Sequence, residues 1–325
     1  MSKAIRIHHY GGPEALCWEE VEIGNPGPGQ LLIRHAAVGL NYIDVYHRTG
    51  LYPLPALPWT LGMEGAGRVD VVGDGVTEFK VGDWIAYASA PVGAYTEVRL
   101  MPADRVVALP DGIDERTAAA MMLQGMTAQY LLRRAYRVQP GDAILLHAAA
   151  GGVGLIASQW ARHLGATVIG TVSDDAKAEL ARAYGCHHVV VYSRESFVKR
   201  VREITDGQGV AAVYDSVGQA TFMGSLDCLR PLGIIVSFGN ASGPVPPFDP
   251  WLLAVKGSLF LTRPTLMTYT TKRTDLLASA AELFDVVQSG AVNIEVHQIY
   301  PLADTAQAHR DLEARKTTGS TVLLP

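Results

Sequence analysis

Gly141-Asp142-Ala143-Ile144-Leu145-Leu146-His147-Ala148-Ala149-Ala150-Gly151-Gly152-Val153-Gly154 is the stretch from which the fold is read. An apolar strand runs into a glycine turn, and a helix begins near Leu155. Glycines let a backbone approach a pyrophosphate, and a helix N-terminus offers free N–H groups and positive partial charge. Strand, turn, helix and a following strand stand in the order that dinucleotide binding requires; a tight connection without a ligand is the blander alternative. The alternation continues downstream, with apolar strands predicted at 143–147, 167–172, 188–191, 211–215, 233–238 and 258–262. Helices over 154–164, 176–184, 196–205 and 220–229 separate most of them. Six such strands with crossover helices predict a parallel sheet.

Residues 4–107 read differently. Short runs at 31–38, 65–72 and 94–100 are broken by turns such as Gly73-Asp74-Gly75, with a short helix over 41–48. An irregular antiparallel domain fits. Helices over 117–122 and 127–136 follow Asp114. The tail, read as helix 274–288, strand 294–300, helix 304–314 and strand 320–324, returns to complete the first domain. The expected division is 1–124 with 264–325 for the antiparallel domain and 125–263 for the nucleotide domain, an α/β fold.

Of the 325 residues 48% are apolar and 18% charged, below the usual share of about 25% charged, which excludes disorder and charged coiled coils. The net charge of −5 gives no reason to expect nucleic acid or an anionic membrane as partner. Cys17, Cys186 and Cys228 are scattered and odd in number, so neither a disulfide framework nor a cysteine zinc site is expected, and a reducing cytoplasm is. With no apolar run in residues 1–11, a secretory signal is not expected. Residues 143–161 lack formal charge over nearly the ~20 positions a bilayer requires, but central glycines with His147, Ser158 and Gln159 make them strand, turn and helix. A soluble protein is expected.

The residue that reads the adenosine ribose ends the second strand about 20 residues on, which is Ser173. A carboxylate there would bond the 2′-hydroxyl and repel a 2′-phosphate. Ser173 removes the repulsion, and Lys177 one turn later can supply a cation. Asp174 and Asp175 oppose this if they turn inward; as acids at a helix N-terminus, the preferred reading, they do not. NADPH is expected over NADH.

Together, Gly141-Asp142, Leu145, Ala149-Ala150-Gly151-Gly152-x-Gly154, Gln159 and Arg162 resemble the signature of the quinone oxidoreductase and ζ-crystallin group. That group lies in the zinc-free branch of the medium-chain dehydrogenase/reductase superfamily. Val38-Gly39-Leu40-Asn41-Tyr42-Ile43-Asp44, Gly62-Met63-Glu64-Gly65-Ala66-Gly67, Gln124-Gly125-Met126-Thr127-Ala128, Tyr214-Asp215-Ser216-Val217-Gly218 and Thr262-Arg263-Pro264 extend the resemblance over the chain, which looks most like the bacterial NADPH quinone reductases. It implies a GroES-like antiparallel β domain and a six-stranded Rossmann domain. It also implies that Asn41, Tyr46 and Thr127 hold the nicotinamide end, and that Gly151, Gly152 and Val153 carry the pyrophosphate. Ser173, Lys177 and Tyr192 would meet the 2′-phosphate, Val217, Phe238, Gly239 and Arg263 would line the path, and Arg315 would close it. Blander readings stand beside these: Asn41 as a helix cap, Tyr46 and Tyr52 as packed rings, and Lys177 as a solvated charge.

Zinc-dependent relatives place Cys and His where this chain has Asn41 and Met63, so no metal is expected. Without a Lewis acid alcohol oxidation loses its alkoxide stabiliser. A quinone needs only hydrogen bonds to the developing oxyanion, which Tyr46, Tyr52, Asn41 and Thr127 can donate. The expected activity is NADPH-dependent quinone reduction in an interdomain cleft by a homodimer paired through the nucleotide-sheet edge. A 2-alkenal or enone reductase and a non-enzymatic ζ-crystallin-like binding role are the alternatives.

Overall fold

Apolar–polar alternation punctuated by glycine and proline folds the first hundred residues into short strands. The computed structural model describes residues 2–325. It begins with β1 (Ser2–Ile7), β2 (Cys17–Val21), β3 (Gln30–Leu40), α1 (Tyr42–Thr49), β4 (Trp59–Thr60), β5 (Glu64–Val72), β6 (Trp84–Ala88), β7 (Val98–Pro102) and β8 (Val107–Ala108). α2 (Glu115–Tyr130) leads into β9 (Ala143–Leu146), α3 (Gly152–His163), β10 (Thr167–Val172), α4 (Asp175–Ala183), β11 (His188–Val191), α5 (Phe197–Ile204) and β12 (Val210–Asp215). Then follow α6 (Phe222–Cys228), β13 (Leu229–Ser237), α7 (Trp251–Val255), β14 (Phe260–Thr262), α8 (Leu266–Tyr269), α9 (Arg273–Gln288), β15 (Val296–Pro301), α10 (Thr305–Glu313) and β16 (Ser320–Leu324).

Two local expectations need correction. The helices expected over 117–122 and 127–136 are one: α2 continues through Gly125 and passes into a π-helical turn over Leu131–Ala135. Glycine inside a helix costs about 1 kcal/mol, but Met121, Met122, Met126 and Ala128 are all buried around it, and that packing prevails. The strand expected over 94–100 starts later, as β7. Ala94 and Tyr95 bond back to Gly62 and Leu61 instead, the Glu97 carbonyl accepts from His35 N–H of β3 at 2.9 Å, and the ladder with β3 runs from Val98.

The chain forms two compact units, Met1–Gln124 with Thr270–Phe284 and Ile294–Pro325, and Gly125–Tyr269 with Asp285–Asn293. Unit one holds a small sheet of order β2-β1-β4 and a larger one of order β15-β16-β3-β5-β6-β8, with β7 also on β3. Its pairs are antiparallel except β15 with β16. Ile5, Leu31, Ile33, Leu61, Ile85 and Leu323 share its core. This is the GroES-like architecture.

Unit two is a six-stranded sheet of order β11-β10-β9-β12-β13-β14, parallel throughout. β12 is buried along its whole length, as a strand covered on both faces must be. Leu145, Ile169, Val190, Val213 and Ile235 pack as its core. The chain direction across the sheet reverses between β9 and β12. In such Rossmann sheets a crevice opens at the carboxyl ends of the strands at this switch point, and ligands bind there.

Candidate functional site

In unit two the site begins where β9 ends. Ala148 takes a left-handed conformation (φ 54°), and Gly151 N–H bonds back to its carbonyl at 2.9 Å. Gly151 then caps α3, whose ladder starts with Leu155 N–H to Gly151 O at 2.9 Å. The N–H groups of Gly152 and Val153 precede that ladder, so they are available to an anion. A Cβ on Gly154 would collide with the Ala148 carbonyl oxygen and lie 2.7 Å from the Ala149 carbonyl carbon. Only glycine lets turn and helix approach this closely. The first turn of α3 holds no acid.

Ser173 follows β10. Its hydroxyl donates to Asp174 Oδ2 at 2.7 Å, and its carbonyl accepts from Ser193 Oγ at 2.8 Å. Asp174 caps α4, accepting from Lys177 N–H at 3.0 Å. That backbone bond, then Ser173, hold its carboxyl below the usual range. The second oxygen of Asp174 stands 3.8 Å from Lys177 Nζ, and Asp175 pairs with Arg194. Both acids are therefore engaged locally, Asp174 as a helix cap. Tyr192 lies next to Ser173, since its N–H bonds Val172 O at 3.1 Å, and its side chain is exposed.

Asp215, at the end of β12, is a buried acid at the carboxyl end of the sheet that sequence reasoning passed over. It is fully buried and accepts from the N–H groups of Val217 and Gly218 at 2.8 and 3.0 Å, setting that loop. The signal was available: an acid closing an apolar strand before Ser-Val-Gly. Phe238 N–H bonds Asp215 O at 2.8 Å, and a Cβ on Gly239 would collide with Ser216 O. Arg263 donates to Ser237 O at 2.9 Å and, with the Asn240 amide turned to accept, to Asn240 at 3.2 Å. Ser237 Oγ is buried without a partner at this same carboxyl end. Thr127 sits buried in α2. The cradle, the open N–H groups and this unpaired hydroxyl fit a bound dinucleotide.

Unit one supplies the other candidates. Tyr46, on α1, stacks edge-on against Tyr52 with ring centres 5.0 Å apart, and Tyr52 N–H bonds Tyr46 O at 3.0 Å. Arg315 follows α10 at φ 59°. Asn41 is the N-cap of α1, and its N–H donates to Asp44 at 2.9 Å. Its side-chain Nδ2 donates to Glu64 Oε2 at 2.6 Å, while Oδ1 accepts from Gln124 at 3.1 Å. The other Glu64 oxygen accepts from Leu123 N–H at 2.7 Å. Asn41 thus has a structural role beside any contact with a ligand.

Residues 27–111 match the alcohol dehydrogenase GroES-like domain family, and residues 152–283 the zinc-binding dehydrogenase family. A quinone oxidoreductase of Pseudomonas aeruginosa is 53% identical over 325 residues, covering 100% of both chains. A 2-haloacrylate reductase of Burkholderia is 48% identical, covering 100% of this chain and 99% of its own. The crystal structure of the Escherichia coli quinone oxidoreductase complexed with NADPH superimposes with a TM-score of 0.98 at 46% identity, over 99% of this chain and 100% of the other.

The zinc named in one of those families does not suit these residues. An amide committed on both sides and the thioether of buried Met63 replace the thiolate and imidazole donors zinc prefers, and the Glu64 carboxyl beside them has both oxygens engaged. No group of three or more His, Cys, Asp or Glu among the described residues could hold a metal ion. Burial instead raises the Glu64 carboxyl to about 8 and that of Asp44 to about 7. The folded chain keeps the Glu64 proton after the unfolded chain has released it near 4.5. Its stabilisation is complete below that value and is lost as pH rises through about 8. Burial depresses His35 and His47 to about 4 and His309 to about 3, an opposite effect confined to more acidic pH. The urea midpoint should therefore fall between roughly pH 7 and 8.5, and Glu64→Gln should flatten the fall. An equal slope in parent and variant refutes this assignment.

Proposed function

The chain belongs to the medium-chain dehydrogenase/reductase family, in its quinone oxidoreductase group, and on that premise we propose that it reduces quinones with NADPH. The observation that carries the reading is the open N-terminus of α3 above a glycine-only contact, with Ser173 and Lys177 where an NAD site would set a carboxylate. The NADPH complex of the 46%-identical relative supports it. Gly151, Gly152 and Val153 receive the pyrophosphate, and Ser173, Lys177 and Tyr192 the 2′-phosphate. Val217, Phe238, Gly239 and Arg263 line the path, Asn41, Tyr46 and Thr127 hold the nicotinamide end, and Arg315 closes over it. When bound, NADPH supplies the hydride. Tyr46, Tyr52 and Thr127 donate hydrogen bonds to the substrate oxygen as it gains charge, the contribution of an oxyanion hole.

Reduction of an electron-poor alkene is a second reading, favoured by the 48% identity to a 2-haloacrylate reductase. A panel of quinones and enones with NADPH and NADH separates the two: faster turnover of quinones supports the first reading, of enones the second. Charge-assisted bonds contribute about 1.5–3 kcal/mol, so Lys177→Ala should weaken NADPH at least about tenfold and leave NADH nearly unchanged. Equal parent affinities for both nucleotides refute the NADPH preference. Tyr46→Phe should lower turnover by about tenfold. Full activity in both Tyr46→Phe and Thr127→Val rules out the polar site.

A homodimer belongs to the same proposal. β14 ends the sheet and exposes Phe260 and Leu261; Trp251 and Val255 are exposed shortly before it in the sequence, and exposed Leu232 is joined to the same segment by its N–H bond to Gly257 O at 2.8 Å. An unpaired apolar edge favours pairing with a twofold copy. Light scattering at micromolar concentration should give twice 34.9 kDa; the monomer mass counts against it. The three free cysteines, two of them buried, suit a cytoplasmic setting. No helix among the described residues is long and apolar enough to cross a membrane.

A further inference from the structure

His147 interrupts an otherwise apolar run at the end of β9, and the function proposed above gives it no role. The side chain is 1% exposed, and Thr171, Ser225 and Asp215 around it are equally buried. Its Nδ1 lies 2.9 Å from Thr171 Oγ1, and its Nε2 lies 3.0 Å from Ser225 Oγ. Ser225 Oγ is 3.1 Å from Asp215 Oδ2, and Thr221 Oγ1 is 2.8 Å from each Asp215 oxygen. The other end of this chain is the pair of backbone bonds from Val217 and Gly218 to Asp215. One line of hydrogen bonds thus crosses the ends of β10, β9 and β12, the last two of which flank the switch point.

The proton inventory orients the line. The Asp215 carboxylate and the Thr221 carbonyl, 3.1 and 2.9 Å from Ser225 Oγ, only accept, so the single Ser225 proton is shared between these two and His147 Nε2–H donates to Ser225. Nδ1 is then left to accept from Thr171. Burial disfavours the imidazolium, the Asp215 charge opposing, which suits this single-proton tautomer. Backbone bonds carry the order into each loop: His147 N–H to Tyr214 O at 3.1 Å, and Ala149 N–H to Thr171 O at 3.1 Å. His147 precedes the cradle by one residue, Thr171 precedes Ser173 by two, and Asp215 holds the Val217 turn.

We propose that His147 is a positioning residue for the dinucleotide, tying the cradle loop, the Ser173 loop and the Val217 loop into one pre-organised receptor through Thr171, Ser225 and Asp215. It touches no ligand. Its contribution is that loops already ordered lose little freedom when the nucleotide arrives. Because the tie lies beneath all three loops, its loss should weaken both nucleotides equally, unlike the loss of a group that meets the 2′-phosphate. The proposal rests on the NADPH reading of unit two, and the experiment separates the two.

The test is calorimetric titration of NADPH and NADH into the full chain, with steady-state kinetics alongside. His147→Phe keeps an aromatic ring edge-on to Phe197, now 5.0 Å away, and removes both hydrogen bonds. Both dissociation constants should rise tenfold or more, with their ratio unchanged. KM for NADPH should rise, while kcat at saturating NADPH and KM for quinone stay within twofold. His147→Gln, whose amide can reach Ser225 alone, should recover part of the affinity. Thr171→Val should weaken binding less than His147→Phe, and combining the two should cost less than the product of the separate losses. Thermal unfolding checks that each variant is folded; if His147→Phe is not, Thr171→Val decides. A folded variant with parent affinity, or a loss confined to NADPH, overturns the proposal. Absence of NADPH binding by the parent overturns the nucleotide reading and this inference with it.

Discussion

One close approach governs the nucleotide unit: the first turn of α3 lies against the carbonyls of Ala148 and Ala149, where no side chain can stand. The helix must begin at Gly152 for this contact to form, and the left-handed Ala148 is what folds the chain back to make it. From that point the open N–H groups, the direction of the helix dipole and the placing of β10 all follow. The dipole acts within the first turn, which is why the absence of acids there matters as much as the presence of glycines.

Unit one is organised by a different cost, that of burying charge. Asn41, Glu64 and Gln124 form a continuous line that ends at Ser320 Oγ, 2.7 Å from Gln124. A second line runs from Arg48 through His309 to Tyr95 and Asp44, with Arg48 also clamped by Glu313 at 2.7 and 2.9 Å. Both lines pass through the first turn of α1, the helix that carries Tyr46. Removing one member of such a line leaves its neighbours buried and unpaired, the situation that costs most. The placing of α1, and with it of the Tyr46 backbone, therefore rests on groups that need not meet any substrate.

The parallel sheet was largely legible because strands covered on both faces read as continuous apolar runs, and β10 and β11 fall on the predicted residues. Asp174 was legible too, since a helix cap is a local matter of three residues. Contacts between distant residues were not. Nothing in the spacing of Asn41, Glu64 and Gln124 discloses that one amide joins the other two, and the resemblance drew attention to Asn41 for another reason. α2 was misread as two helices because Gly125 weighs against a helix locally, while the burial that overrides it depends on the tertiary fold. His147 looked like an exception within an apolar run because its partners lie on β10 and α6.

The larger sheet of unit one carries a consequence for synthesis. β16 stands between β15 and β3, pairing parallel with the one and antiparallel with the other. Its neighbour β3 leaves the ribosome before the whole of unit two, and β16 only after it. Through that interval Val38, Gly39 and Leu40 wait without the strand they bond to, a sticky edge on a growing polypeptide. The nucleotide unit meets no such delay, because all six of its strands are contiguous in the chain. Folding on the ribosome should thus run from the middle of the sequence outward, with the GroES-like unit closing last.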